Sequence, residues 1–286
     1  MLEYFLYRLA QGLVSVLPLG LSYWIAGRIA DLHFFFSHKS RRQVFKNLHW
    51  IYDGRPLRDS SQKAREVFHH FAEYLVDFLR LSDMGEEEFL TRVHVTGLEY
   101  VQGGLKKGKG LIAVTAHFGN WEWGGVELSL LGYPVHALAL AHRNRLVNQF
   151  FIQQRNQKGI HVVSKDRDIW KITEHLGKNE LLVLVTDRDF SNNGIPVSFL
   201  GRNVYFPRGP AALSRRCGSP LVVGFVIRER KDTFHLIFEP PIAIEKTENL
   251  SEDLQHMTQE LALRFENTIR RYPTQWLLFE GLREVS

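Results

Sequence analysis

Residues 110–125 read GLIAVTAHFGNWEWGG, and within them His117 precedes Glu122 by five positions. The apolar run at 111–114 ends in Thr115, Ala116 and His117, followed by the Gly119-Asn120 turn signal and a segment that can be helical from Trp121. This is the pattern of a buried strand delivering a histidine to a loop at the mouth of an α/β sheet. On a continuous helix five steps would turn Glu122 roughly 140° away from His117. The two work together only if the glycine turn lets the carboxylate fold back onto one imidazole nitrogen. Held so, His117 keeps its other nitrogen as a general base, and the carboxylate favours the imidazolium formed on taking a proton. The competing reading is a strand-end histidine satisfied by backbone and a glutamate in the first turn of a helix.

Further residues have suitable types at suitable places. Arg143 follows the next strand, at a strand C-terminus where α/β proteins gather ligand contacts, and Arg145 and Arg155 sit at the start and in the body of the next helix. For any one arginine the alternative is a surface salt bridge. Asp187 and Asp189 close the strand ELLVLV two positions apart, so both would point one way. A carboxylate there can polarise His117 or hold a hydroxyl, while capping or turn formation competes, and one of the two is expected to be structural. Arg208 and Gly209 open RGPAALS, where backbone amides at a helix start would meet a phosphate or thioester oxygen. The lone Cys217 is expected to be a small buried thiol rather than an acyl-accepting nucleophile. His69 and His70 lack a second ligand cluster, and no metal is expected.

The stretch HFGNWE resembles the H-x4-D/E motif of glycerolipid acyltransferases, and with Phe, Gly, Asn and Trp between the two it is similar to the bacterial lipid A late acyltransferase family. RRQVFKNL at 41–48, VTDRD at 185–189, VSFLG at 197–201, FPRGPAALSRRCGSPLV at 206–222 and YPTQW at 272–276 follow in that family's order. After YPTQW this chain departs from the pattern, with Leu277, Leu278, Phe279 and Glu280 in place of the aromatic and His-Arg residues usual there. The resemblance implies transfer of an acyl chain from acyl carrier protein to a hydroxyl of a lipid A precursor or similar glycolipid, with coenzyme A thioesters as the alternative donor and no cofactor. It implies His117 and Glu122 as catalytic residues, with Glu122 orienting His117, and Asn120, Arg143, Arg155, Asp187, Asp189, Arg208 and Gly209 as substrate contacts. In that scheme amides at 119–121 and an arginine receive the oxyanion. A lysophospholipid or phosphatidylinositol mannoside acyltransferase would share every motif, and a thioesterase-like hydrolase is chemically close.

The 286 residues, 44% hydrophobic and 23% charged, suffice for one large α/β unit plus an anchor. A single cysteine forbids an intrachain disulfide framework and fits a reducing compartment. The net charge of +5 and pI near 9.3 favour anionic partners. Because the basic residues are scattered through amphipathic segments and no nucleic-acid module is recognisable, the expected partners are a membrane lipid and an acidic carrier protein, with no nucleic acid.

Residues 1–36 are apolar but broken by Arg8, Gln11, Pro18 and Arg28, and two readings stand: a single kinked membrane span or a pair of amphipathic helices in one leaflet. The basic flank HKSRRQVFKNL puts the catalytic region on the cytoplasmic side of an inner membrane. Residues 37–92 read as a helical, basic juxtamembrane segment, including an amphipathic helix from the capping pair Ser60-Ser61 to about Leu81. Residues 93–286 alternate short apolar runs with helical ones. The expected fold is therefore α/β, a mixed, largely parallel sheet flanked by helices, with LVVGFVI and FHLIF as an antiparallel edge.

Overall fold

The computed structural model describes residues 1–55, 58–164, 169–243 and 246–285. Five helices come first: α1 (Leu2–Val16), α2 (Leu19–Phe36), α3 (His38–Ile51), α4 (Ser60–Arg80) and α5 (Glu86–Leu90). Strands and helices then alternate as β1 (Val93–Thr96), α6 (Leu98–Leu105), β2 (Leu111–Thr115), α7 (Trp121–Leu130), β3 (Val135–Ala139), α8 (Arg145–Asn156), β4 (Ile160–Ser164), α9 (Ile169–Gly177) and β5 (Leu181–Val185). The chain continues through a hairpin, β6 (Ile195–Phe199) and β7 (Arg202–Phe206), to α10 (Gly209–Cys217), β8 (Leu221–Arg228), β9 (Phe234–Phe238), α11 (Leu250–Arg271) and a 3-10 turn (Pro273–Gln275).

Seven strands form one sheet in the order β1-β9-β8-β2-β5-β3-β4. From β8 to β4 all neighbours are parallel, and the polarity changes once, between β8 and β9. The antiparallel pair is therefore as expected, but its outer member is not the edge. β1 runs parallel along β9 in the register Val93 to Phe234, because Phe234, Leu236 and Phe238 are buried and need cover. The β6–β7 hairpin is a separate two-stranded sheet. It turns through Leu200 and Gly201, both at positive φ, as a tight hairpin with right-handed strand twist requires.

Leu17 and Pro18 split the apolar N-terminus into two helices of 15 and 18 residues. Among the described residues no helix is long and apolar enough to cross a membrane. Both helices fold back onto α4. Tyr23 Oη donates to Asp77 (2.5 Å) and Arg80 donates to Leu17 O (3.1 Å). In the basic flank, Arg41 donates to the carbonyls of Phe34 and Phe35 (3.0 and 2.9 Å), closing the C-terminus of α2. Asn47 donates to Leu278 O (2.7 Å), joining α3 to the chain's end. α4 begins where expected, yet neither serine caps it: Asp59 holds the N-cap position without a side-chain bond. Its apolar stripe, including Val67, Phe68 and Phe78, is buried.

Candidate active site

β2 is buried along its whole length between β5 and β8, so the chain leaves the sheet centre rigidly aimed. Two residues on stands His117. At Gly119 the backbone takes φ +54°, and a Cβ there would lie 1.8 Å from the carbonyl oxygen of Val226, so only glycine fits. The Gly119 N–H donates to Gln275 O (2.8 Å), the Asn120 N–H to Val226 O (3.2 Å) and the Leu277 N–H to His117 O (2.7 Å). The histidine loop is thus fastened to β8 and to the YPTQW segment. The same bonds correct the expected oxyanion site, because the amides of Gly119 and Asn120 are already donated to carbonyls.

Asp187 is fully buried just beyond β5 and accepts twice from His117, at its backbone N–H (3.1 Å) and at ring Nδ1 (2.7 Å). Trp276 Nε1 donates to the same carboxylate at 3.0 Å. Burial raises the Asp187 pKa, but His117 and the donated hydrogen bonds outweigh it and hold the pKa below the usual carboxylate value. With Nδ1 fixed, Nε2 is the nitrogen that can exchange a proton with a bound molecule.

Glu122 does not orient the histidine. It lies in the first turn of α7 and forms a two-pronged ion pair with Arg155 of α8, Nε to Oε2 at 2.9 Å and Nη2 to Oε1 at 2.5 Å. The reason is geometric. Asp187 arrives from a neighbouring parallel strand and reaches Nδ1 first, whereas the turn of α7 carries Glu122 toward α8. Arg155 is half-buried, with its guanidinium about equidistant from the Phe78 and Phe151 rings (5.9 Å each). Burial opposes its charge, but Glu122 more than compensates and its pKa is raised.

The other expected contacts divide. Arg208 and Gly209, at the start of α10, line the cavity that contains His117. Asp189 also borders it but is spoken for: it accepts from Ser191 N–H (2.9 Å), Ser191 Oγ (2.6 Å), Gly194 N–H (3.0 Å) and Arg283 (2.8 Å). Past Val185 the chain is no longer a strand, so the two-residue alternation that would aim both aspartates alike does not apply. Asn120 is a correction: it is wholly buried and donates to Asp77 (2.9 Å), away from any ligand. Asp77 also pairs with Arg228 and accepts from Tyr23, tying the histidine loop to α2 and α4. Arg143 is exposed in the loop before α8 and is not part of the cavity wall. His142 beside it is, with its ring 4.5 Å from that of Phe151. Tyr74, stacked on Trp121 at 4.2 Å, lines the cavity too. Neither residue carried a signal in sequence beyond its place in an apolar pattern. Cys217 ends α10, half-buried, and burial pushes its thiol pKa up, which fits a packing role.

The cavity measures about 750 Å³. Its walls are apolar side chains such as Ala137, Leu138, Ile160, Ile172 and Leu213, and its polar lining includes Arg188, Arg208 and the Glu122–Arg155 pair. Arg188 pairs with Glu280, one of the residues departing from the expected C-terminal pattern. Leu277 and Leu278 of that segment are core residues. A histidine base backed by a buried aspartate, opening on an apolar chamber with guanidinium groups nearby, is equipped to take a proton from a hydroxyl beside an acyl chain.

The comparisons with known proteins agree with this chemistry. The chain is 25% identical over 242 residues to a phosphatidylinositol mannoside acyltransferase of Mycolicibacterium smegmatis, covering 83% of this chain and 78% of that one. It is 25% identical over 254 residues to the protein of the same name from Mycobacterium tuberculosis, covering 86% and 78%. A lipid A biosynthesis acyltransferase of Haemophilus influenzae is 21% identical over 272 residues, covering 93% and 83%. The family described as bacterial lipid A biosynthesis acyltransferase matches residues 1–282. The chain belongs to that family, and it is an acyltransferase.

Proposed function

We propose that the protein moves a fatty acyl chain from a carrier thioester to a hydroxyl group of a membrane glycolipid, with His117 as the base. Nε2 of His117 takes the hydroxyl proton, the oxygen bonds to the thioester carbonyl carbon, and the carbon–sulfur bond then breaks. The leaving thiolate recovers the proton from the imidazolium, so no covalent acyl-enzyme is required. Asp187 holds the imidazole and stabilises its charged form, while Arg188 and Arg208 balance negative charge in the chamber. The observation that carries this reading is the His117–Asp187 pair facing an apolar cavity of about 750 Å³, large enough for an extended acyl chain.

The names of the relatives support a glycolipid acceptor. Acyl carrier protein is the donor favoured by the net charge of +5 and by the exposed Arg143 and Arg145 beside the cavity residue His142. Arg155, expected on the same face, is instead half-buried on the cavity wall in its pair with Glu122. The proposed location is the cytoplasmic face of the inner membrane, with α1 and α2 lying in the lipid interface. Their exposed Leu2, Phe5, Leu6, Leu9 and Leu13 recur at three- and four-residue spacing, and Trp24, Leu32 and Phe35 continue the apolar surface on α2. Incubating the protein in vesicles with acyl carrier protein and coenzyme A thioesters, alongside lipid A precursors and phosphatidylinositol mannosides, and identifying the product by mass tests the proposal. Acyl ester on a glycolipid sugar is the expected product. Free fatty acid alone would make the protein a hydrolase.

A further inference from the structure

At the opposite end of the sheet from His117 three side chains from three segments converge. His136 is the second residue of β3, His175 lies in the last turn of α9, and Glu180 immediately precedes β5. Glu180 Oε2 accepts from both His136 Nε2 (2.7 Å) and His175 Nδ1 (2.6 Å). The two imidazoles stack with centroids 3.6 Å apart. One ligand atom from each of the three residues lies within 4.8 Å of the others.

The arrangement is rigid. Asn179 takes φ 63° to turn the chain, Glu180 N–H returns to His175 O (3.1 Å), and the Asn179 side chain accepts from Gly110 N–H (3.0 Å). On the other side Leu181 N–H bonds Pro134 O (2.9 Å), which sets β5 beside the start of β3. Two ring nitrogens and a carboxylate oxygen gathered within 4.8 Å of one another form the donor set that zinc prefers, with a water completing a tetrahedron.

We propose that His136, His175 and Glu180 bind one zinc ion, reversibly, at a site separate from the acyl-transfer centre. The parallel register places Val135 level with Leu181 and Leu111, so about 15 Å of strand separates this site from the His117 end. The ion replaces the two hydrogen bonds to Glu180, and the ligand atoms part to metal-ligand spacing as one of the stacked rings turns its nitrogen toward the ion. His136 is buried, and its Nδ1 has no hydrogen-bond partner among the described residues. The outer acceptor that tightens resident zinc sites is therefore missing on that ligand, which makes exchangeable binding in the micromolar range the expectation. Because Ile172 lies one turn before His175 on α9 and lines the acyl cavity, the ion would clamp that wall to the sheet.

Cobalt(II) titration of the tag-free, chelator-stripped full chain in detergent tests the assignment. Wild type should bind one ion per chain with the intense visible bands of four-coordinate cobalt, displaced by zinc. His175→Asn and Glu180→Gln, both half-exposed positions chosen because His136 is buried, should each weaken binding at least about tenfold. Either variant that folds decides the matter. Absence of the four-coordinate spectrum in wild type, or equal affinity in the variants, as binding at the His94–His235 pair (4.9 Å) on the far β1–β9 edge would give, overturns the proposal.

Discussion

Asp187 grips His117 at two points, the backbone N–H at 3.1 Å and ring Nδ1 at 2.7 Å, so one carboxylate fixes both the loop and the tautomer. An amide at this position can present an N–H to Nδ1 and favour the wrong tautomer. Asp187→Asn should lower turnover roughly 10²- to 10⁴-fold with little change in the Michaelis constants. Steady-state kinetics on folded variant protein provide the check. A turnover within a few-fold of wild type would assign the orienting role elsewhere.

Glu122 and Arg155 make a different prediction, since they line the same cavity as His117 but pair with each other while Nδ1 is held by Asp187. Removing one partner strands a charge and should cost about 3–5 kcal/mol, while removing both together costs much less. Denaturation midpoints of Glu122→Gln, Arg155→Met and the double variant measure this. A destabilised protein that keeps its per-molecule turnover in Glu122→Gln fits the ion pair. Full stability with lost turnover would restore Glu122 to direct catalysis.

Glu127 in α7 is 3% exposed, and its Oε2 has no hydrogen-bond partner among the described residues. Burial raises its pKa from 4.5 to about 7. A carboxyl raised on folding contributes fully below its unfolded value, and that contribution is lost as pH rises through the folded value. Between about pH 4.5 and 7 the chain should therefore lose stability at this site. Glu127→Gln removes the effect and should gain about 2–3 kcal/mol relative to wild type on going from pH 5 to pH 8. Chemical denaturation at those two pH values decides. A variant-to-wild-type difference independent of pH contradicts the assignment.

The exposed apolar residues of α1 and α2 predict lipid binding. Deleting both helices would also uncover the core residues they cover, such as Val76, Phe78 and Phe150, so point changes are cleaner. Leu9→Asp with Trp24→Asp and Phe35→Asp should reduce vesicle partitioning at least about tenfold, given about 1–2 kcal/mol per apolar side chain withdrawn from lipid. Flotation with anionic vesicles measures it. Unchanged partitioning would place the membrane-binding surface elsewhere.

Much of this site was legible in the chain. The run into His117 marked a strand end, Gly119 marked the turn, and the alternation after residue 93 marked a largely parallel sheet. These are local signals, set by burial period and by backbone freedom at glycine. Partner choice was not local. Glu122 is five residues from His117 and Asp187 seventy, yet adjacent parallel strands bring the distant acid to Nδ1 while the helix turn takes the near one to Arg155. Asn120 looked polar and available beside the base, but it is sealed against Asp77, whose place on α4 no spacing rule connects to this loop. The breadth of β9's burial, which makes β1 the true edge, likewise depends on a pairing across about 140 residues.

The central claim is that His117 Nε2 removes the acceptor's proton, and single-turnover transfer measures it most directly. With wild type and His117→Ala loaded with the same radiolabelled acyl-carrier donor and glycolipid acceptor, the rate of ester formation should fall at least about a hundredfold in the variant. Its folding midpoint should stay close to that of wild type, because the ring is partly exposed at the cavity. Ester formation in folded His117→Ala at the wild-type rate would contradict the account.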